Sequence, residues 1–270
     1  MFLMINQIPF GKATHGKMQC GWATRHKDVR LCAVGALAFC APFRFRCFGE
    51  FADMTLHDWK NNKEWFDVKL LSDIAGDNKH KMTSDSHRDC VKAILKGMNL
   101  PCHDLPHPGC KLGSKIPDWL EEETKEILRM GQWADGTWDG AHSLKLPLAP
   151  IRKLAGFIGS KICFNARTAV EADEELLRLT PIGEWCCDAK EEVGEACLSL
   201  NVTGQCQTAY RFLCFICKVN RVFIQDAAAM VTLHPTRCEH PMFHELPVFA
   251  TDPWQASMFV HSVEVHRISI

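Results

Sequence analysis

Residues 203–234, TGQCQTAYRFLCFICKVNRVFIQDAAAMVTLH, set the fold class of this chain. Phe212, Ile216, Val219, Phe223, Ala227 and Met230 recur at steps of three and four, the spacing of one face of an α-helix. Arg211, Lys218, Arg221 and Asp226 interrupt the run. The pattern therefore predicts a long helix packed in a core or at an interface, not one crossing a membrane.

The same reasoning places further helices. An Ala/Leu/Cys/Phe-rich run from Arg30 to about Phe48 predicts a buried helix that Pro42 should end or kink. Ser84 or Asp85 can cap a helix running to about Met98, with Cys90, Val91, Ile94 and Leu95 on one face. Pro117 in a first turn, followed by WLEEETKEILRM, predicts an amphipathic helix with acids early and Arg129 late, as the helix dipole favours. More helices are expected near 149–158, 169–179 and 184–199. At the N-terminus, residues 2–9 and 17–24 read as two strands around a turn at residues 11–16, a β-hairpin. Residues 235–256, rich in Pro, His and Trp, read as an irregular packed tail. The expected fold class is mainly α with a small β-hairpin.

At 270 residues the chain can bury a large core, and 47% apolar with 23% charged residues excludes bulk disorder. The net charge of −1 does not by itself mark a nucleic-acid binder. Its distribution is less neutral: residues 1–161 hold 23 Lys+Arg against 18 Asp+Glu, whereas residues 162–270 hold 8 against 14. Two domains are expected, a mildly basic 1–161 and an acidic helical extension at 162–270, with polyanion contact confined to the first. The 15 cysteines are odd in number, scattered and mostly inside apolar runs. The one CxxC, Cys214-Phe-Ile-Cys217, has no matching pair elsewhere, which argues against a zinc site. Reduced thiols, no metal and no other cofactor are expected. The start, MFLMINQIPFGK, lacks the basic region and cleavage site of a signal peptide. The longest apolar run, from Leu31 to Phe43, falls short of the roughly 20 residues of a membrane span. A soluble intracellular protein without a membrane partner is expected.

A second stretch, HPGCKLGSKIPDWLEEETKEILRMGQWADGTWDGAHSLKLPLAPIRKLAGF at 107–157, carries a more specific signature. It joins RHKDVRLCAVGALAF at 25–39, WFDVKLL at 65–71 and VFIQDAA at 222–228 in a fixed order, with RMGQW at 129–133, KLP at 145–147 and LAGF at 154–157 inside it. On these residues, the span from about Phe2 to Phe259 resembles the recombinase-like second domain of the fungal centromere-DNA-binding kinetochore subunit, and the related Crypton-type tyrosine recombinases. The resemblance implies a tyrosine-recombinase catalytic-like fold. Such an enzyme needs a nucleophilic phenol, and it needs two arginines, a hairpin lysine and a His or Trp donor to hold the scissile phosphate. Lys12 falls on the hairpin lysine, His107 on the histidine that opens the family's His-x-x-Arg motif, and Trp133 on the His/Trp position. The arginine of that motif falls on Cys110, which cannot make a bidentate phosphate contact. The nucleophile falls on His142, and the only tyrosine, Tyr210, lies in the long helix. The family's first arginine would lie upstream of the hairpin where this chain begins, so an N-terminally incomplete domain is expected.

The expected function is nuclear, non-catalytic binding of double-stranded DNA. Lys12, Lys17, Arg25, Lys27 and Arg30 would form the basic hairpin face, five cations against the single Asp28 over residues 11–30. His107, Arg129 and Trp133 would join them at the degenerate phosphate site. Each has an ordinary reading beside this one: a solvated basic face, a loop histidine between two prolines, and a core indole. Three other readings of the chain stay open. It is an assembly or homodimerisation module using the acidic second half, a decayed mobile-element fragment, or an active recombinase whose phenol is Tyr210.

Overall fold

The computed structural model describes residues 3–8, 19–47, 58–65, 81–99, 115–131, 148–159, 165–199, 204–234, 239, 243 and 246–250. In chain order the elements are β1 (Leu3–Ile8), β2 (Gln19–Thr24), α1 (Ala33–Cys47), α2 (Asn62–Trp65), α3 (Ser84–Gly97), α4 (Thr124–Gly131), α5 (Leu148–Leu154), α6 (Ala166–Ala169), α7 (Glu174–Arg178), α8 (Gly183–Ser199) and α9 (Gly204–Leu233). Short 3-10 turns lie at Val29–Leu31 and Pro247–Ala250. The chain is mainly helical, and β1 and β2 pair into a two-stranded sheet. The hairpin turn, His107, Cys110, Trp133 and His142 lie outside the described residues.

The chain divides into two compact units. One holds Met1–Ile5, Trp22–Asp67 and Phe164–Ile270; the other holds Asn6–Gly21 and Val68–Cys163. Packing thus crosses the expected border at residue 161, since residues 22–67 share a unit with the C-terminal helices.

In the first unit everything is arranged about α9, a 30-residue helix about 45 Å long. Val222 through Ala229 are buried in succession, so the helix is covered on all sides there and is packed in the core. Helices α1, α6, α7 and α8 and the turn at Val29–Leu31 all pack on it. α1 runs through Pro42 to Cys47 without ending there, and its Phe39 ring meets Phe223 edge-on at 5.5 Å. Phe223 also touches Phe249, 5.7 Å away, which draws the Pro247–Ala250 turn onto the same helix. A second cluster holds the 58–65 segment in place. Trp59 stacks on Trp185 of α8 at 5.7 Å and 2°, and Trp65 stacks on Phe212 of α9 at 5.4 Å. Aromatic rings bury large areas and their stacking adds to this, so these clusters dominate the unit's packing energy.

Of the expected helices, one is broken and one is shortened. The Pro117 helix ends after residue 119, and Glu121 takes a left-handed conformation with φ 58° before α4 starts. Lys153 of α5 fixes that break by donating to the Leu120 carbonyl at 2.5 Å and pairing with Glu122 at 2.9 Å. The expected helix at 169–179 is shortened to α7, because the Asp173 side chain accepts from Glu175 N at 2.8 Å and caps a later start, while α6 is a separate turn that ends at Ala169. Capping also differs at α3, where Thr83, not Ser84 or Asp85, accepts from Ser86 N. α5 closes within the LAGF sequence: Gly156 adopts φ 85°, and Phe157 N donates back to Arg152 O at 3.1 Å.

Phe223→Ala should lower stability by about 3–5 kcal/mol, because a fully buried ring with two aromatic neighbours leaves a cavity. A urea titration reads this as a lower unfolding midpoint; an unchanged midpoint would place Phe223 outside the core.

Candidate nucleic-acid interface

The segment that leaves β2, from Arg25 to Arg30, carries three of the expected DNA-contacting cations. Its course is set by an ion cluster inside the first unit. Asp226, in the most buried stretch of α9, is 0% exposed. An isolated carboxylate there would be strongly disfavoured, so its partners have to reach it. Arg25 donates Nη2 to Asp226 Oδ1 and Nη1 to Gln225 Oε1. Arg167 of α6 donates Nε to the same Oδ1 at 2.6 Å. Two guanidiniums thus share one carboxylate oxygen, both of them buried, at 2% and 5% exposure.

Two cations against one anion leave the cluster positive, and main-chain carbonyls absorb the excess. Arg167 Nη2 donates to His26 O at 2.6 Å and Nη1 to Lys27 O at 2.7 Å. Asn165 Nδ2 donates to His26 O at 3.1 Å, and Gln225 Nε2 holds Val170 O at 2.6 Å. Burial pulls the Arg25 guanidinium below its ordinary pKa, Asp226 raises it again, and the like charge of Arg167 opposes that. The close fit also explains Gly35 of α1, whose position leaves no room for a Cβ: any side chain there would strike Asp226 Oδ2.

The cluster sorts the basic segment. Arg25 was expected on the phosphate-contacting face, but its guanidinium is turned inward and engaged by Asp226, so it presents no charge to solvent. With the carbonyls of His26 and Lys27 pinned by Arg167, Lys27 is exposed on the outer side. Arg30 is also exposed and forms a bidentate pair with Asp28, using Nε at 2.9 Å and Nη2 at 2.5 Å. Hydrogen bonding from Arg30 holds the Asp28 carboxyl well below its usual range, at about 2. Asp28 is therefore ionised at neutral pH and offsets part of the segment's charge.

Of the remaining expected site residues, Arg129 falls in the last turn of α4. Lys12, Lys17, His107 and Trp133 lie outside the described residues, so no geometry joins them to Lys27 and Arg30. Tyr210, the one phenol, sits near the start of α9 and is 38% exposed. A hydrogen bond with Cys214 raises its pKa. Sequence reasoning missed Arg167, Gln225 and Asp226 as the residues that shape this segment. The available signal was Asp226 itself, a carboxylate set between Phe223-Ile224 and three alanines. Among the described residues, no helix is long and apolar enough to cross a membrane, and no cluster of three or more His, Cys, Asp or Glu is arranged to hold a metal ion.

The family model described as Centromere DNA-binding protein complex CBF3 subunit, domain 2, matches residues 1–255. No curated protein and no solved structure matches the chain.

Asp226→Asn should destabilise the protein by about 3–5 kcal/mol, since it strands two buried guanidiniums without a counter-charge. The unfolding midpoint in urea measures this. A loss below about 1 kcal/mol, the range of an exposed pair, would show that the cluster is not the buried network described.

Proposed function

The chain belongs to the family of the centromere DNA-binding protein complex CBF3 subunit, domain 2, and from that premise we propose that it is a nuclear, non-catalytic protein that binds double-stranded DNA through its basic N-terminal segment. Family membership over residues 1–255 is the observation that carries this reading. The segment's geometry supports it: Lys27 and Arg30 face solvent on a backbone held rigid by Arg167. Phosphate contacts of this kind gain affinity mainly by releasing counterions, and they position the duplex without reading its sequence. Lys12, Lys17, His107, Arg129 and Trp133 are proposed as further DNA contacts. Arg25 is removed from the contact set and given a positioning role.

Strand cleavage is not part of the reading. The positions that the resemblance assigns to the nucleophile and to the clamping arginine hold His142 and Cys110, and the only tyrosine, Tyr210, lies in α9, outside that stretch. No cofactor is invoked, and the bound partner is duplex DNA. The relation to Crypton-type recombinases belongs to this proposal, and a decayed mobile-element fragment without a selected function is an alternative to it. A second reading, self-association or assembly, has one observation in its favour. Ile94 and Met98 of the α3 segment are 61% and 63% exposed, leaving apolar surface in the second unit open to a partner.

Fluorescence anisotropy of the whole protein with a labelled duplex tests the proposal. Four phosphate contacts, from Lys12, Lys17, Lys27 and Arg30, give an affinity that falls about 100-fold between 50 and 200 mM salt. Replacing Lys27 and Arg30 by Gln should lower the log–log salt slope by about two, one for each contact. No anisotropy change even at 50 mM salt would overturn DNA binding. If light scattering on the same sample showed a clean dimer, assembly would take its place.

A further inference from the structure

Apart from the basic segment, the first unit contains a cavity of about 260 Å3 bordered by α7, α8 and α9. Four thiols line it: Cys186 and Cys187 from α8, and Cys214 and Cys217 from α9. The last two sit three residues apart, so one helical face carries both. Cys186 is completely buried, and its Sγ lies 3.3 Å from Cys217 Sγ. Its thiol also reaches the Leu213 carbonyl at 3.5 Å. Cys217 is only half-buried at the cavity wall. The two sulfurs therefore already touch, with one of them open to a small solute and the other enclosed.

The charges around the pair are unequal. Lys190 of α8 and Lys218 and Arg221 of α9 line the same space, together with Arg178 of α7. Two acids of the lining, Glu174 and Glu191, face it as well. Asp188 and Glu191 occupy Arg178, at 2.8 and 3.4 Å, and Glu171 holds Arg221 at 3.0 Å. Hydrogen bonding from Cys186 lowers the Cys217 pKa to about 7, with burial opposing and Lys190 assisting. The same hydrogen bond and burial raise Cys186 far above the ordinary range. Of the two, the half-buried Cys217 is the sulfur more readily ionised, and the fully buried Cys186 is the one held protonated.

We propose that Cys217 and Cys186 form a hydroperoxide-reactive dithiol, in which Cys217 is the attacking sulfur and Cys186 closes a disulfide between α8 and α9. The Cys217 thiolate attacks one oxygen of hydrogen peroxide. An S–O bond forms, the O–O bond breaks, and hydroxide leaves to be protonated to water. Cys186 then attacks the sulfur of the resulting sulfenic acid. An S–S bond forms, the S–O bond breaks, and the departing hydroxide takes the Cys186 proton as water. Two thiols and one peroxide give one disulfide and two waters. Once Cys217 is a neutral sulfenic acid, the negative charge that kept Cys186 protonated is gone, so the second step can follow at the same contact.

Peptide mapping of the whole reduced protein after brief treatment with hydrogen peroxide tests this. The expected product is a Cys186–Cys217 cross-linked peptide, lighter by two hydrogens and restored by dithiothreitol. With Cys186→Ser, dimedone should trap a sulfenic acid on Cys217; with Cys217→Ser, neither product should form. On the unmodified protein, iodoacetamide should label Cys217 on the order of ten-fold faster at pH 7 than Cys40 of α1, whose own pKa is raised by desolvation. That rate should be half-maximal near pH 7. A persistent sulfenic acid on Cys217 in the unmodified protein would overturn the proposal. So would a disulfide to Cys187 or Cys214 instead, or oxidation elsewhere with Cys186 and Cys217 unchanged.

Discussion

A single buried carboxylate, Asp226, is the constraint on which the first unit depends. It lies where α9 is covered on every side, and no water-facing route exists for its charge. Two arginines from distant parts of the chain must therefore come to it, Arg25 across 201 residues and Arg167 across 59. Each brings its own segment, so the strand exit, α6 and the central helix are fixed to one another at one oxygen atom. Replacing such a network with apolar side chains of the same volume can be neutral in energy, whereas breaking it by half is costly. Its value here is best understood as specificity: it defines which face of the 25–30 segment looks inward.

That orientation has a direct chemical result. Five cations within twenty residues of sequence look like one basic surface. The fold splits them, taking Arg25 for the core and leaving Lys27 and Arg30 outside, with Asp28 offsetting part of what remains. The outward charge is therefore smaller than the sequence count. The surrounding aromatic clusters, Trp59 with Trp185 and Phe223 with Phe39, supply the packing energy that the ion cluster does not.

Much of the architecture was legible in the sequence, because it follows from period. The three- and four-step run predicted α9 to within a residue at each end, and the two strands and α8 were equally plain. What failed was local and competitive. Glu121, Glu122 and Glu123 are good helix formers, yet Lys153 from α5 captures the chain at Leu120 and Glu122 and ends the helix there. Thr83, Ser84 and Asp85 are all capping residues, and only the hydrogen bond to Ser86 N decides among them. The site was less legible than the fold for a physical reason. Whether an arginine serves phosphate or a buried aspartate depends on a partner 201 residues away, and the contact between Cys186 and Cys217 joins two helices across 31 residues. The CxxC spacing placed two thiols on one helical face but could not name the third sulfur that meets them.

The Asp226 cluster leaves Lys27 and Arg30 outermost on the 25–31 segment, and the DNA contact we propose runs through them. Amide hydrogen exchange of the whole protein, with and without duplex DNA at low salt, tests it most directly. Exchange should slow on adding DNA, centred on residues 25–31 and extending into the hairpin. Unchanged exchange in that segment, with protection elsewhere or nowhere, would contradict it.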